Sequence, residues 1–360
     1  MGQLNKIILN RYRNFKSKEF SFLPRCNIFF GMNGTGKTNL LEAISIHGKG
    51  RGFRNSTIKD IVLNNESDFH ISSEYEKDKI TFNLDIYSKL IEGKYKKITA
   101  VNDETSKQSL ELLDSSLSFL YFLPEMERLF LTSPSYRRNF VDKLIFSEIK
   151  DYNKIINKYK KKILERNKIL QSGNLDEDWI NILENEISIL GIKIYNIRSN
   201  QFIQLNHNIE LINKKNDYPF SVKFEMKDNF FNSNLDQKKY LENLKNNRGF
   251  DTKFGGSKIG PHKSDYITII NDNFNAANLS TGQQKTIVLM SIIAQCNHLI
   301  NNKNIKPIMI FDEICSHLDR TNRKILLELV NEFDIQFFLT GTEKSLFSFM
   351  STNVNFYNIT

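Results

Sequence analysis

The chain has 360 residues, 40% of them hydrophobic and 25% charged. That is enough apolar material for one large domain or two moderate ones, and it excludes a wholly disordered polymer. The 50 lysines and arginines against 41 acidic residues leave a formal net charge of +9, so the average field attracts polyanions without saying which.

Cys26, Cys296 and Cys315 are scattered among apolar neighbours, a spacing that suits neither a disulfide framework nor a zinc site. The start, MGQLNKIILNRYRNF, lacks the apolar run and small-residue cleavage site of a signal peptide, and no stretch has the apolar length of a membrane helix. The expectation is a cytoplasmic protein without a membrane partner.

In chain order, residues 6–9 and 19–23 alternate as short strands around a polar turn. Residues 26–30 form a compact apolar strand that runs into Gly31-Met32-Asn33-Gly34-Thr35-Gly36-Lys37-Thr38, and a helix is expected from 39 to 47. This is the full phosphate-loop pattern in its strand–loop–helix setting. Its glycines let backbone amides turn toward phosphates, and the helix start adds positive potential. Lys37 is the candidate partner of the β and γ phosphates and Thr38 of Mg²⁺, with Asn33, Thr35 and Asn39 in the same nucleotide-binding segment. Further strands are expected at 69–74, 80–86 and 97–101.

After Pro124 the periodicity becomes helical. Ser133 and Pro134 read as an N-cap and first helical residue, opening a helix that runs to a stop at Gly173. A second helix begins near Asp176, where Trp179, Ile182, Leu183, Glu186, Ile187 and Leu190 recur at three-to-four spacing. A third, short one is expected at 235–244. These lengths predict a compact, mainly helical lobe rather than a long coiled-coil arm. After Gly255 helices at 283–300 and 322–333 alternate with strands at 307–311 and 336–339, and 353–359 closes as an edge strand. The expected fold is α/β, with a mixed β-sheet and phosphate-loop core. Its parts are residues 1–120, a helical lobe at 121–254 and a returning segment at 255–360.

Ile308-Met309-Ile310-Phe311 buries a strand that delivers Asp312 and Glu313 at its C-terminal end, where ligands gather in parallel sheets. Asp312 is the candidate Mg²⁺ contact through water and Glu313 the candidate base for an attacking water. Leu279-Ser280-Thr281-Gly282-Gln283-Gln284-Lys285 resembles the signature segment of the ABC ATPases. In that family a second subunit presents the serine and helix-start amides to the γ phosphate, which implies a nucleotide role for Ser280, Gly282 and Gln283. Ser316-His317-Leu318-Asp319 resembles the loop linking the two composite sites, with Asp319 as the candidate communicator. Thr340 and Glu125 stand where those ATPases usually carry a histidine and a glutamine, which makes Thr340 a candidate weaker γ-phosphate contact and points to slow, switch-like hydrolysis.

The chain as a whole resembles the RecF family of bacterial recombination-mediator ATPases. The likeness rests on Arg13-Asn14-Phe15, the phosphate loop, Gly50-Arg51-Gly52-Phe53-Arg54 and Pro124-Glu125. It continues through Ser133-Pro134 with Arg137-Arg138, Phe140-Val141-Asp142, Arg166-Asn167, Gly260-Pro261-His262-Lys263-Ser264-Asp265, the signature, 312–319 and Thr340-Gly341-Thr342. It implies an ATP-dependent homodimer on duplex DNA near single-strand gaps that cooperates with RecR and RecO to help RecA assemble, in repair, replication and the SOS response.

Lys154, Lys158, Lys160, Lys161, Lys162, Arg166 and Lys168 form a basic stretch that serves either DNA phosphates or a solvated helix face, with Lys154, Lys158, Lys161, Lys162 and Arg166 the candidate DNA contacts. Lys94, Lys96 and Lys97 carry the same two readings. Arg51 and Arg54 are candidates for nucleotide, DNA or a nearby carboxylate, Arg137 and Arg138 for holding the lobe against the head, and His262 for a structural role. No base-reading pattern is present. A transporter ATPase subunit and a clamp without turnover are the competing classes.

Overall fold

The computed structural model describes residues 2–48, 50–172, 176–216, 221–232, 234–314, 320–350 and 354–360. Their contacts divide the chain into two units, Met1–Glu127 with Lys285–Thr360, and Arg128–Gln284. Among the described residues, no helix is long and apolar enough to cross a membrane.

The first unit opens with β1 (Gln3–Tyr12), β2 (Phe15–Ser21), β3 (Cys26–Phe30), α1 (Lys37–Ser45) and the short α2 (Ile58–Ile61). Then follow β4 (His70–Lys77), β5 (Ile80–Ile91), β6 (Lys94–Val101), α3 (Lys107–Ser116) and β7 (Phe119–Phe122). The second unit contains α4 (Pro134–Glu148), α5 (Tyr152–Gln171), α6 (Glu177–Asn216), β8 (Val222–Lys227), α7 (Gln237–Asn246), α8 (Arg248–Lys253), β9 (Asp265–Ile270) and β10 (Phe274–Asn275). Helix α9 (Thr281–Lys303) leads back to β11 (Ile308–Phe311), α10 (Arg320–Glu332), β12 (Phe337–Gly341) and β13 (Val354–Asn358).

The expected mixed character resolves into separate sheets. One is antiparallel, in the order β2-β1-β4-β5-β6, and one runs β13-β3-β12-β11-β7 with every neighbouring pair parallel. Composition explains the division. Strands β11 and β12 are buried at every position, as both-face coverage of a parallel sheet demands, whereas β1 alternates, with Leu4, Ile7, Leu9 and Tyr12 fully buried. Gln336 ties the two together: its Oε1 accepts from the Leu4 amide at 2.9 Å while its Nε2 donates to the Leu4 carbonyl at 2.8 Å. Phe22, Phe29 and Phe338 pack beside it, with Phe22 and Phe338 edge-to-face at 5.0 Å.

In the second unit, Ser133 caps α4 by accepting from the Tyr136 amide, with Pro134 in the first turn as expected. The helix predicted to run from there to 173 instead breaks at 149–151. The turn lays Tyr152 back on α4, where its hydroxyl donates to Asp142 at 2.7 Å. Gly173 lies outside the described residues. Helix α6 has 40 residues, which at 1.5 Å per residue is about 60 Å, longer than the spacing of its first turns suggested. Residues 255–284, expected with the returning segment, group with this unit because β9 pairs with β8.

His47, just past α1, is buried against β4, its Nδ1 2.6 Å from the Tyr75 hydroxyl and its Nε2 3.0 Å from Ser73 Oγ. Burial, assisted by the Lys97 charge, pushes it from 6.5 down to about 3. Unfolding therefore takes up a proton between these values, and stability falls as pH drops from about 6.5 toward 3. Thermal melts across that window are expected to show the fall, with a shallower slope in His47→Gln; an unchanged slope refutes the assignment.

Candidate functional site

The phosphate loop spans Gly31 to Thr38 between β3 and α1. Gly36 caps α1 at φ 107°, and a Cβ there would sit 2.5 Å from the Asn14 side chain, so both backbone and space require glycine. Asn14 closes the loop from outside by donating to the Thr35 carbonyl at 2.9 Å, and Asn39 donates to Asn14 at 2.8 Å. Sequence reading placed Asn39 in the nucleotide segment and missed the Asn14 clamp, because no local pattern links residues this far apart.

The Lys37 ammonium donates to the Gly31 and Met32 carbonyls at 2.7 Å each. Its side chain is 4% exposed, and burial lowers its pKa against the opposing fields of Glu313 and Asp312. Arg54, for which three partners were open, donates to Asn39 at 2.8 Å and meets Glu42 at 3.3 Å. Glu42 is fully buried and also takes both arms of Arg13, at 2.8 and 2.7 Å. This carboxylate locks the first two strands to α1, directly behind the loop.

At the C-terminal end of β11, Asp312 is 5% exposed. Its Oδ1 accepts from the Thr38 hydroxyl at 3.1 Å and from the Thr340 hydroxyl at 2.7 Å. Thr340 in turn accepts from the Glu313 amide at 2.8 Å, and Glu313 adopts φ 50°, a left-handed conformation that side chains rarely take. Thr340, read as a γ-phosphate contact, has its single proton directed at Asp312. Burial raises the Asp312 pKa, against the lowering effect of the two threonine hydroxyls, while Glu313 pushes it further up.

These observations test the fit of a nucleotide and its metal. Lys37 and Asp312 are buried charges of opposite sign that burial leaves undercompensated, one beside turned backbone amides and one beside a hydroxyl. A phosphate matches the first, and a hard divalent cation the second, since hydroxyl and carboxylate oxygens are its preferred donors. Among the described residues no cluster of three histidine, cysteine or acidic side chains offers a protein-only metal cage.

The signature residues form their own cluster in the second unit. Ser280 precedes α9, its amide and hydroxyl both donating to Gln283 Oε1 at 3.1 Å while the Gln283 amide returns to Ser280 Oγ at 3.3 Å. This reciprocal capping box leaves Ser280 and Gln283 exposed at the helix start, with Gly282 half-buried between them. Ser316 and Asp319 lie outside the described residues.

The basic stretch of α5 divides. Lys154 pairs with Asp151 at 2.8 Å, Lys162 with Glu186 at 2.8 Å and Lys158 with Glu186 at 3.8 Å, whereas Lys161 is exposed. Arg166 corrects the expectation of a DNA contact. It is fully buried, bound to Glu184 at 2.9 Å, Asp251 at 2.6 Å and the Leu244 carbonyl at 2.7 Å. The signal was present in the spacing, since Ile156, Tyr159, Ile163, Arg166 and Leu170 fall on the buried side of one helix. Lys97 likewise turns its ammonium onto the Gly50 carbonyl at 2.9 Å. Arg166→Met is expected to cost about 3–5 kcal/mol in denaturant unfolding, by leaving buried Asp251 without its cation and Glu184 with Arg248 alone; a loss under about 1 kcal/mol contradicts a structural ion pair.

Residues 26–340 match the family model described as "AAA domain, putative AbiEii toxin, Type IV TA system", so the chain belongs to that domain family. The "DNA replication and repair protein RecF" of Rickettsia prowazekii is 31% identical over 345 residues, 94% of each chain. A solved structure of the recombination mediator protein RecF-ATPrS in the RecFOR pathway superposes with a TM-score of 0.83 at 25% identity, covering 100% of this chain and 96% of that one. An Smc head bound to the C-terminal winged-helix domain of ScpA shares the fold, with a TM-score of 0.54 at 16% identity over 98% of this chain and 93% of its own. The likeness thus runs along nearly the whole of both sequences, and with identity of this order the chain belongs to the RecF family.

Proposed function

We propose that this chain is an ATP-dependent DNA-binding recombination mediator that closes as a homodimer on duplex DNA near single-strand gaps. On this reading it cooperates with RecR and RecO in loading RecA, during repair, replication-fork maintenance and the SOS response. The observation that carries it is the meeting of Thr38 and Thr340 on one oxygen of Asp312, beside a lysine already folded into a phosphate loop. Family membership supports the DNA part, and the net charge of +9 agrees with a polyanionic partner.

Gly31, Asn33, Gly34, Thr35, Gly36, Lys37, Thr38 and Asn39 are assigned to ATP, and Thr38 with Asp312 to Mg²⁺. When bound, the metal supplies Lewis-acid stabilisation of phosphate oxygens. Lys37 exchanges the Gly31 and Met32 carbonyls for phosphate oxygens, neutralising charge near the loop amides. Glu313 orients water and accepts its proton at the carboxylate, and Thr340 holds the Glu313 backbone and Asp312 in register. Ser280, Gly282 and Gln283 of a second copy complete the site, and Asp319 links the two sites of the dimer. Hydrolysis of ATP to ADP and phosphate is slow, stimulated by DNA, and reopens the clamp.

Analytical ultracentrifugation without nucleotide, with ATP, with duplex DNA and with both is expected to show dimer where ATP is present and retention on DNA only then. Lys37→Ala abolishes this response, and Glu313→Gln preserves the dimer while slowing phosphate release by on the order of 100-fold or more. Dimer and DNA retention indifferent to ATP overturn the reading. Thr340→Val is expected to lower kcat by about 10-fold or more, as the loss of a hydrogen bond to a charged group implies. Nucleotide affinity should change little and Thr340→Ser should restore turnover; an equal loss of affinity would return Thr340 to the role of a phosphate contact.

A further inference from the structure

The nucleotide site uses none of the side chains that set Arg138, Asp142 and Pro261-His262 apart in the sequence. In the second unit these residues converge on one pocket of about 70 Å³, which Ser135, Asn139 and Lys160 also line. Small-molecule clefts run to about 300–1,000 Å³, so the space suits a small polyatomic ion.

Charge decides its sign. Arg198, 3% exposed, forms the floor and takes both oxygens of Asp142, at 3.0 and 2.9 Å, and donates as well to the Pro261 carbonyl. The carboxylate of the pocket is thereby consumed. Asp265 stands nearby on β9, but it holds the two arms of Arg137 at 2.8 Å each. That pairing also answers the expectation that Arg137 braces the lobe against the head, because Arg137 braces its own unit. His262 accepts or donates at 2.8 Å with the Tyr159 hydroxyl and meets the Ser257 carbonyl at 3.2 Å, and burial pushes it from 6.5 down to about 4, so it is neutral near pH 7.

Two cations are left over. Arg138 is half-buried and donates to the Ser264 carbonyl at 2.7 Å, and among the described residues no carboxylate forms an ion pair with it. Burial and the field of Arg198 lower its pKa against the opposing fields of Tyr266, Asp142 and Asp265. Lys160, exposed on α5, also has no ion pair among the described residues. Ser135 stands in the first turn of the 15-residue α4, where the helix dipole favours an anion. The wall is rigid. Gly260, at φ 119°, lets the chain pass so close that a Cβ would lie 2.1 Å from the Tyr240 hydroxyl and 2.4 Å from that of Tyr159.

We propose that this pocket is a phosphate-type oxyanion site in which Arg138 and Lys160 supply the charge and Ser135 and Asn139 the neutral hydrogen bonds. It stands independently of the nucleotide reading. The same chemistry is offered by a free phosphate and by a phosphate of a DNA backbone, and the two sources are separable.

The test uses the full chain carrying Lys37→Ala, which removes the phosphate loop as a competing site, titrated calorimetrically with inorganic phosphate. Saturable binding is expected, weakened about tenfold or more by Arg138→Gln and by Lys160→Gln. If a DNA backbone is the natural source, Arg138→Gln in the otherwise unaltered chain also reduces the slope of log affinity against log salt for a duplex by about 1. An unchanged slope alongside weakened phosphate binding assigns the pocket to a free anion. Lys160→Gln changes an exposed residue, so it carries the test if Arg138→Gln fails to fold, as a melting curve reports. Phosphate binding that is absent, or insensitive to both substitutions, together with an unchanged salt slope, overturns the site.

Discussion

A carboxylate at the end of a strand buried on every side is unstable unless donors surround it, and Asp312 has that position. Thr38 and Thr340 donate to the same oxygen, which draws α1 and the end of β12 onto the end of β11. Neither neighbour is a free choice once the other is set. Thr38 follows the lysine of the loop, so its hydroxyl reaches Asp312 only if β3 and α1 are in register with β11. The parallel order β3-β12-β11 supplies that register. The left-handed backbone of Glu313 then becomes tolerable, because its amide donates to the very hydroxyl that steadies Asp312.

Behind this site the same logic recurs with stronger charges. Glu42 is fully buried and is held by Arg13 and Arg54, so the helix that presents the loop is fixed to the strands that precede it. In the second unit, Arg166 with Glu184 and Asp251, Arg137 with Asp265, and Arg198 with Asp142 each neutralise a carboxylate inside the unit. Buried pairs of this kind add little to net stability but penalise any arrangement that separates them, a constraint on geometry rather than on strength. They account for Arg166, which the sequence offered to DNA or solvent, and Arg137, which it offered to an interface between lobe and head. Arg138 departs from the pattern, having a carbonyl for a partner where its neighbours have carboxylates.

Local chemistry was legible in the chain alone. The eight residues from Gly31 to Thr38 carry their own geometry, the strand before them has the expected bounds Cys26–Phe30, and Ser133-Pro134 announces α4, since glycine conformation, alternation and capping act over a few residues. The apolar run ending in Asp312 and Glu313 announced a buried strand for the same reason. What only the tertiary structure decided are the contacts between distant segments. Asp312 meets Thr38 across 274 positions, and Arg138 meets Ser264 across 126. Arg166 belongs to both classes: its place on the buried stripe of α5 was readable, but its partners on α6 and α8 were not. Spacing along a chain settles which side of a helix a residue occupies, whereas the charge that waits there depends on how other elements pack against it.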